Sequence, residues 1–346
     1  MVTEAGLRQD IKPKALVISR PDSLYDVVLA SVVLAPVRAV LPKTRIFLLV
    51  DEKFAALFVN HPQLDGIFTI APDTTAESLA NNFKKQKIDA LAHLEFSPLV
   101  SAAAKLAGIR YTSAFETEDG GDASLEILDS ENHRESHAAF HNFEVLAPFG
   151  VSEPTRPKID LSVHADAERE AFEKLRKYDV EPGTDYAVFC LDSNQAGHEI
   201  HASVFARTAG WISRNSPMPI LVLGDPEKSK NFLKFCISSH GAHILDFRGK
   251  TTPAEDAWLI KSARFCFSGE NAHAYLAAAT ACPLIALFVD FSAGRWFPLG
   301  HLSTNIFTGA HRFPFEPRWL YNLRASRTFQ ISKIASALKF SLALKS

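Results

Sequence analysis

The polar run "RPDSLYD" (residues 20–26) gathers an arginine, two aspartates and a serine directly after the apolar segment "ALVIS". From Val27 onward the apolar residues recur with helical spacing, so Asp26 falls at a strand-to-helix junction. A carboxylate there has two readings. It complements the helix dipole, worth about 0.3–1 kcal/mol, or it serves as a general base that takes a proton from an acceptor hydroxyl. Beside it stands Tyr25, bulky where a tight strand-to-helix turn ordinarily takes glycine.

Two further strand ends carry chemistry in the second half, "DSNQAGH" (192–198) and "SGENAHAY" (268–275). Backbone N–H groups at helix starts bind phosphate, aided by the macrodipole and by small residues that allow close approach. Ser193, Asn194 and Asn271 are read either as phosphate contacts or as plain N-caps. His198, His201 and His273 share these loops, and Gly224 closes another strand-like run, "PILVLG". Two such loops in one half point to a nucleotide diphosphate. No G-x-G-x-x-G, G-x-x-x-x-G-K-[ST], H-E-x-x-H or G-x-S-x-G pattern occurs, which removes the main support for dinucleotide oxidoreductases, P-loop enzymes, zinc hydrolases and serine esterases.

The elements that must position these residues alternate. The first half reads "ALVIS" as strand, 26–40 as helix, "RIFLLV" as strand, "EKFAALFVNHP" as helix, "GIFTI" as strand, "AESLANNFKKQ" as helix, "IDALAHLE" as strand and "SPLVSAAAKLAG" as helix. Apolar strands separated by amphipathic helices predict βαβ units and a parallel sheet covered on both faces. Residues 115–136, acidic and containing a Gly-Gly pair, interrupt the rhythm as a long loop. "HAAFHNFEVLAPFG" then reads as a helix capped by Gly150, and "VSEPTRPKIDLS" as a linker. The alternation restarts with strands "YAVFCLD", "PILVLG", "HILDF", "RFCFSG" and "PLIALF", and Ile331–Leu344 reads as a final amphipathic helix.

The predicted fold is therefore α/β: two Rossmann-like, doubly wound parallel-sheet domains facing across a cleft, with ligands beyond the carboxyl ends of the strands. The domains are expected at 1–155 and 156–325, with 326–346 as a C-terminal helix. Composition agrees with a globular chain: 47% hydrophobic and 22% charged residues over 346 positions, with a formal net charge of −2. That balance gives no field to recruit nucleic acid. Cys190, Cys236, Cys266 and Cys282 lack paired spacing and read as reduced thiols of a cytoplasmic protein. The N-terminal "MVTEAGLRQDIKPK" shows no secretory h-region, and no window reaches the roughly 20 apolar residues of a membrane span, so membrane contact would be peripheral.

At this point the sequence resembles the lipopolysaccharide heptosyltransferases, glycosyltransferase family nine, which have the GT-B fold. "RPDSLYDVVL" is similar to the family's R-x-D-S-x-G-D-V-V-L turn, keeping Arg20, Asp22, Ser23 and Asp26 and placing Tyr25 at the glycine. "HAAFHNFEVLAPFGV" is similar to its H-E-V-E-R-N-L-x-L-L-x-x-L-G segment through His137, Asn142 and Gly150. "FRGKTTPAEDAW…RWFPLG" is similar to its donor region, whose D-[ST]-G-x-x-H loop becomes Glu270, Asn271, Ala272, His273, Ala274 and Tyr275. The resemblance implies an inverting transferase whose 1–155 domain holds the acceptor and whose 156–325 domain holds the donor, the 326–346 helix packing back towards the N-terminal domain, with Asp26 as base and Arg20, Asp22, Ser23 and Tyr25 on the acceptor side. It places His198 at a phosphate-contacting lysine and His201 at a neighbouring proline. The implied donor is a nucleotide-diphosphate sugar, ADP-heptose-like, and the implied acceptor a lipopolysaccharide core or other glycan. No cofactor and no metal are implied, and the setting is cytoplasmic with peripheral inner-membrane contact. The alternative is a catalytically idle GT-B protein that binds nucleotide or glycan.

Overall fold

The computed structural model describes residues 11–115, 125–127, 137–193, 198–289, 297–300, 302–308 and 316–344. The chain divides into two compact units, Met1–Ser162 and Val163–Ser346. Asn194 and most of the 115–136 loop lie outside the described residues.

In the first unit, strands β1 (Ala15–Ser19), β2 (Arg45–Asp51), β3 (Gly66–Ile70), β4 (Ala90–His93), β5 (Tyr111–Phe115) and β6 (Leu125–Ile127) form one sheet in the order β3-β2-β1-β4-β5-β6. Every pairing is parallel. β1 is buried along its whole length, which explains why it reads as an uninterrupted apolar run rather than an alternation. The expected helix 26–40 is two helices, α1 (Leu24–Ala30) and α2 (Leu34–Val40), joined by a 3₁₀ turn at Ser31–Val33. Pro36 lacks the N–H that would reach back one turn, so a regular α-helix cannot run through the junction. The segment after β2 is a 3₁₀ stretch, Glu52–Leu57, instead of a full helix, and the chain then turns at Asn60, which takes a left-handed φ of 57°. Helices α3 (Ala76–Lys85) and α4 (Pro98–Ala107) form as expected, capped by Thr75 and Ser97, and α5 (His141–Leu146) precedes the left-handed Gly150.

The second unit opens with α6 (Ala165–Arg176), absent from the sequence expectations, which buries Ala167, Ala171 and Leu175 on one face. Then come β7 (Ala187–Cys190), α7 (Ala202–Asn215), β8 (Ile220–Leu223), α8 (Phe232–Ser238), β9 (Ile244–Asp246), α9 (Pro253–Ser262), β10 (Phe265–Ser268), α10 (Ala272–Ala279), β11 (Leu284–Phe288), β12 (Ser303–Phe307), α11 (Arg318–Ala325) and α12 (Ile331–Leu344). The sheet order is β12-β11-β10-β7-β8-β9, again parallel. Phe189, Phe205, Phe235 and Phe267 pack ring against ring, at 5.0–6.4 Å between centroids, where this sheet meets α7 and α8. Helix α12 buries Ile334, Ala337 and Leu338 in that same core, as an integral part of the second unit. Cys190, Cys266 and Cys282 are buried and Cys236 is partly exposed, all unpaired. No helix among the described residues is long and apolar enough to cross a membrane.

Both sheets have the Rossmann order, with the first strand of each flanked by the second and the fourth. The chain reverses direction across the sheet between β1 and β4, and between β7 and β10. Loops leaving the carboxyl ends at such points diverge and leave a crevice.

Candidate functional site

In the first unit the β1–α1 connection forms a charge cluster around one guanidinium. Ser23 is the N-cap of α1: its hydroxyl accepts from the Asp26 backbone N–H at 3.2 Å and donates to the Asp26 carboxylate at 2.6 Å. Arg20 reaches Asp26 through Nη2 at 2.8 Å and Asp22 through Nε at 3.0 Å. Its Nη1 donates to the Leu94 carbonyl at 2.6 Å and lies 3.6 Å from Glu95. The arginine thus ties the end of β1 to the end of β4, across the switch point. Arg20 is 13% exposed, whereas a quarter of the Asp26 side chain remains open to solvent. Partial burial raises the Asp22 pKa to about 6, Arg20 opposing the shift and the Asp26 charge adding to it. Two acids share one cation, and the shift leaves Asp22 able to hold a proton at mildly acidic pH.

Tyr25 sits in the first turn of α1 and is not among the residues with positive φ. The glycine of the resembling motif is therefore not needed here for backbone freedom. The same holds for Ala272, the first residue of α10.

In the second unit the carboxyl ends of β7 and β10 meet around Asp192. Its carboxylate occupies the space that a side chain on Gly224 would fill: a Cβ there would stand 3.0 Å from the Asp192 carboxyl atoms, and Gly224 has φ 121°. Asn271 donates to the Asp192 carbonyl at 3.0 Å and to its carboxylate at 3.1 Å. Its side-chain oxygen accepts from Ser268 Oγ at 2.9 Å and from the backbone N–H groups of His273 and Ala274 at 3.0 and 3.3 Å. This side chain is the N-cap of α10, and Asn271 is only 1% exposed. Burial raises the Asp192 pKa.

His273 carries the clearest charge in this region. Burial alone would lower its pKa, but Asp256, 3.1 Å from Nε2, and the field of Asp192 raise it to about 9, so the ring is cationic at neutral pH. Asp256 is itself held by the Thr251 hydroxyl at 2.5 Å. His198 Nδ1 lies 3.2 Å from Glu270, both side chains about 6% exposed. His201 caps α7 by accepting from the Ser203 N–H. Ser193 is half-buried at the end of the described β7 loop.

Glu270, Asn271, Ala272, His273, His198 and Gly224 therefore flank one switch point, and Arg20, Asp22, Ser23, Tyr25 and Asp26 the other. Asp192 and Asp256 were passed over as site residues. Asp192 had a signal, being the first charge after the apolar run "AVFCL"; Asp256 reads as an ordinary first-turn acid. Among the described residues no group of three or more His, Cys, Asp or Glu side chains has a metal-binding arrangement.

No curated protein matches the sequence. Solved structures share the fold, three of them as examples. A glycosyl transferase of family 9 from Veillonella parvula matches at 15% identity over 98% of this chain and 99% of its own, TM-score 0.77. E. coli ADP-heptose lps heptosyltransferase II matches at 14% identity over 96% and 99%, TM-score 0.75. E. coli heptosyltransferase WaaC with ADP matches at 14% identity over 94% and 99%, TM-score 0.64. With its two parallel-sheet units the chain shares their GT-B fold. The sequence pattern of glycosyltransferase family 9 (heptosyltransferase) matches residues 78–314, more than half the chain and all of the second unit's switch point, and the chain belongs to that family.

Proposed function

We propose that this protein is an inverting glycosyltransferase that moves a sugar from a nucleotide diphosphate to a glycan hydroxyl. By family likeness the donor is of the ADP-heptose kind and the acceptor a lipopolysaccharide core or similar glycan, used at the cytoplasmic face of the inner membrane. The second unit is assigned the donor and the first unit the acceptor and the base.

In this reading Asp26 takes the proton of the acceptor hydroxyl as its oxygen attacks the anomeric carbon. The bond from that carbon to the diphosphate breaks, and the diphosphate leaves with the electron pair. Backbone N–H groups at the start of α10 and the His273 imidazolium counter the charge that develops on it. One displacement on one face inverts the anomeric centre. Because amide dipoles and His273 take this role, turnover is expected to survive a metal chelator.

The observation that carries the proposal is the Asp26 carboxylate, fixed by Ser23 and Arg20 at the carboxyl end of β1 yet a quarter exposed. The test is release of nucleoside diphosphate from ADP-, UDP- and GDP-sugars by the wild type and by Asp26→Asn. The expected result is turnover with one donor class and a loss of about 10²–10⁴-fold in the variant. Equal activity in Asp26→Asn would remove Asp26 as the base. A second reading, binding without turnover, is favoured by one observation: His198, at the family's phosphate-contacting position, is buried against Glu270. Thermal stabilisation by a nucleoside diphosphate with no turnover of any donor would select it.

A further inference from the structure

Away from the switch points, one layer of the second unit is built without acids. Residues 201–224, 228–245 and 317–346 contain no Asp or Glu, in a chain whose formal net charge is −2. These stretches supply α7, α8 and α12, which share one hydrophobic core with the sheet face beneath them. Arg207 and Arg214 on α7, Lys230 and Lys234 beside and on α8, and Lys333 and Lys339 on α12 are all exposed. The three most exposed large apolar side chains of the described residues stand among them: Leu233 at 70%, Ile237 at 62% and Phe340 at 58%. Leu233 and Ile237 are four residues apart and share a face of α8. Where the three helices meet lies a groove of about 480 Å³, lined by Arg207, Trp211, Arg214, His240 and Ile331.

We propose that this helical layer docks on an anionic phospholipid bilayer. Leucine, isoleucine and phenylalanine held out in water among same-sign cations match an interface that takes apolar side chains at the acyl boundary and cations at the headgroups. The groove offers two guanidiniums to headgroup phosphate, beside an indole of the kind that settles at membrane interfaces. Burial first, then the neighbouring cations Arg327, Lys234 and Arg207, hold His201 below the ordinary histidine range. A protein partner fits less well, because the apolar side chains are separated by lysines and no counter-charge of the layer's own sets a register. The proposal rests on the reading of a transferase used at the inner membrane and names the face that meets it; it uses none of the residues assigned to transfer, so vesicle binding is read apart from turnover.

The test is co-sedimentation of the full-length protein with vesicles of phosphatidylcholine alone and of phosphatidylcholine with phosphatidylglycerol. Binding is expected only to the anionic vesicles and is expected to fall as salt is raised. The pair L233Q and I237Q, and separately R207Q and R214Q, should each weaken binding by about tenfold or more while the thermal midpoint stays at the wild-type value, since all four side chains are exposed. Absence of binding to anionic vesicles, or undiminished binding by both variant pairs, would overturn the proposal. So would a concentration-dependent dimer abolished by L233Q and I237Q, which would assign the face to a second copy of the chain.

Discussion

Arg20 makes two carboxylates depend on a single guanidinium, so its loss should reach beyond one contact. Replacing it with methionine leaves Asp22 and Asp26 adjacent without a counter-charge. The expected result is a fall in kcat greater than any rise in the donor KM, with Arg20→Lys intermediate because the fork geometry is lost while the charge stays. Steady-state kinetics on the three proteins checks this. Asp22 has its own signature. Its folded-state pKa of about 6 lies above the ordinary 3.8, so the folded chain holds the proton more tightly and stability falls as pH rises from about 4 to 6. Asp22→Asn should flatten that slope in denaturant titrations. At this scale the sequence was informative up to the range of local contacts. Arg20, Asp22, Ser23 and Asp26 stand out as a polar run after an apolar strand, but Leu94, which fixes Arg20, lies 74 positions away. Nothing in the sequence marks that pairing.

Among the elements, the hinge of the second site is the start of α10. Asn271 is at once helix cap and tether to the end of β7, so Asn271→Ala removes the cap and leaves buried partners unsatisfied. A loss of about 2–4 kcal/mol in unfolding free energy is expected from those two effects together. Gly224→Ala should also destabilise, because its Cβ would press on the Asp192 carboxylate and its φ of 121° is one that side chains rarely adopt. Strands and the longer helices were legible because burial imposes an apolar run on a parallel strand and a 3.6-residue period on its cover. The failures have local causes. Helix α6 hides in a charged stretch whose only apolar marks are Ala167, Ala171 and Leu175, weak residues at the correct spacing. The segment 26–40 reads as one helix because hydrophobic periodicity ignores the missing N–H of Pro36. β12 went unread because its side chains are mostly half-buried, so "STNIF" lacks the continuous apolar signature.

For the molecule as a whole, two buried histidines bend the pH dependence of stability in opposite senses. Burial lowers His93 to about 4 from 6.5. The unfolded chain therefore gains a proton that the fold refuses as pH falls through that window, and stability declines. His273 is raised to about 9 from 6.5, so its contribution is complete below 6.5 and lost as pH rises towards 9. Between about pH 4 and 6 the His93 slope is opposed by that of Asp22, so the clear decline is expected on the alkaline side, and His273→Gln should remove that alkaline slope at the cost of overall stability. The two α/β halves were visible in the restart of strand and helix after the proline-containing stretch. The duplicated strand order was not, since it is set by long-range pairing alone. The cysteines add an experimental handle. All four lie in the second unit, three are sealed in its core and Cys236 is partly open. A thiol-labelling time course on the intact protein should show one fast site and three that wait for the fold to open. The chain thus carries a built-in, dye-readable gauge of breathing in one half only, against which ligand-induced tightening of that half can be timed.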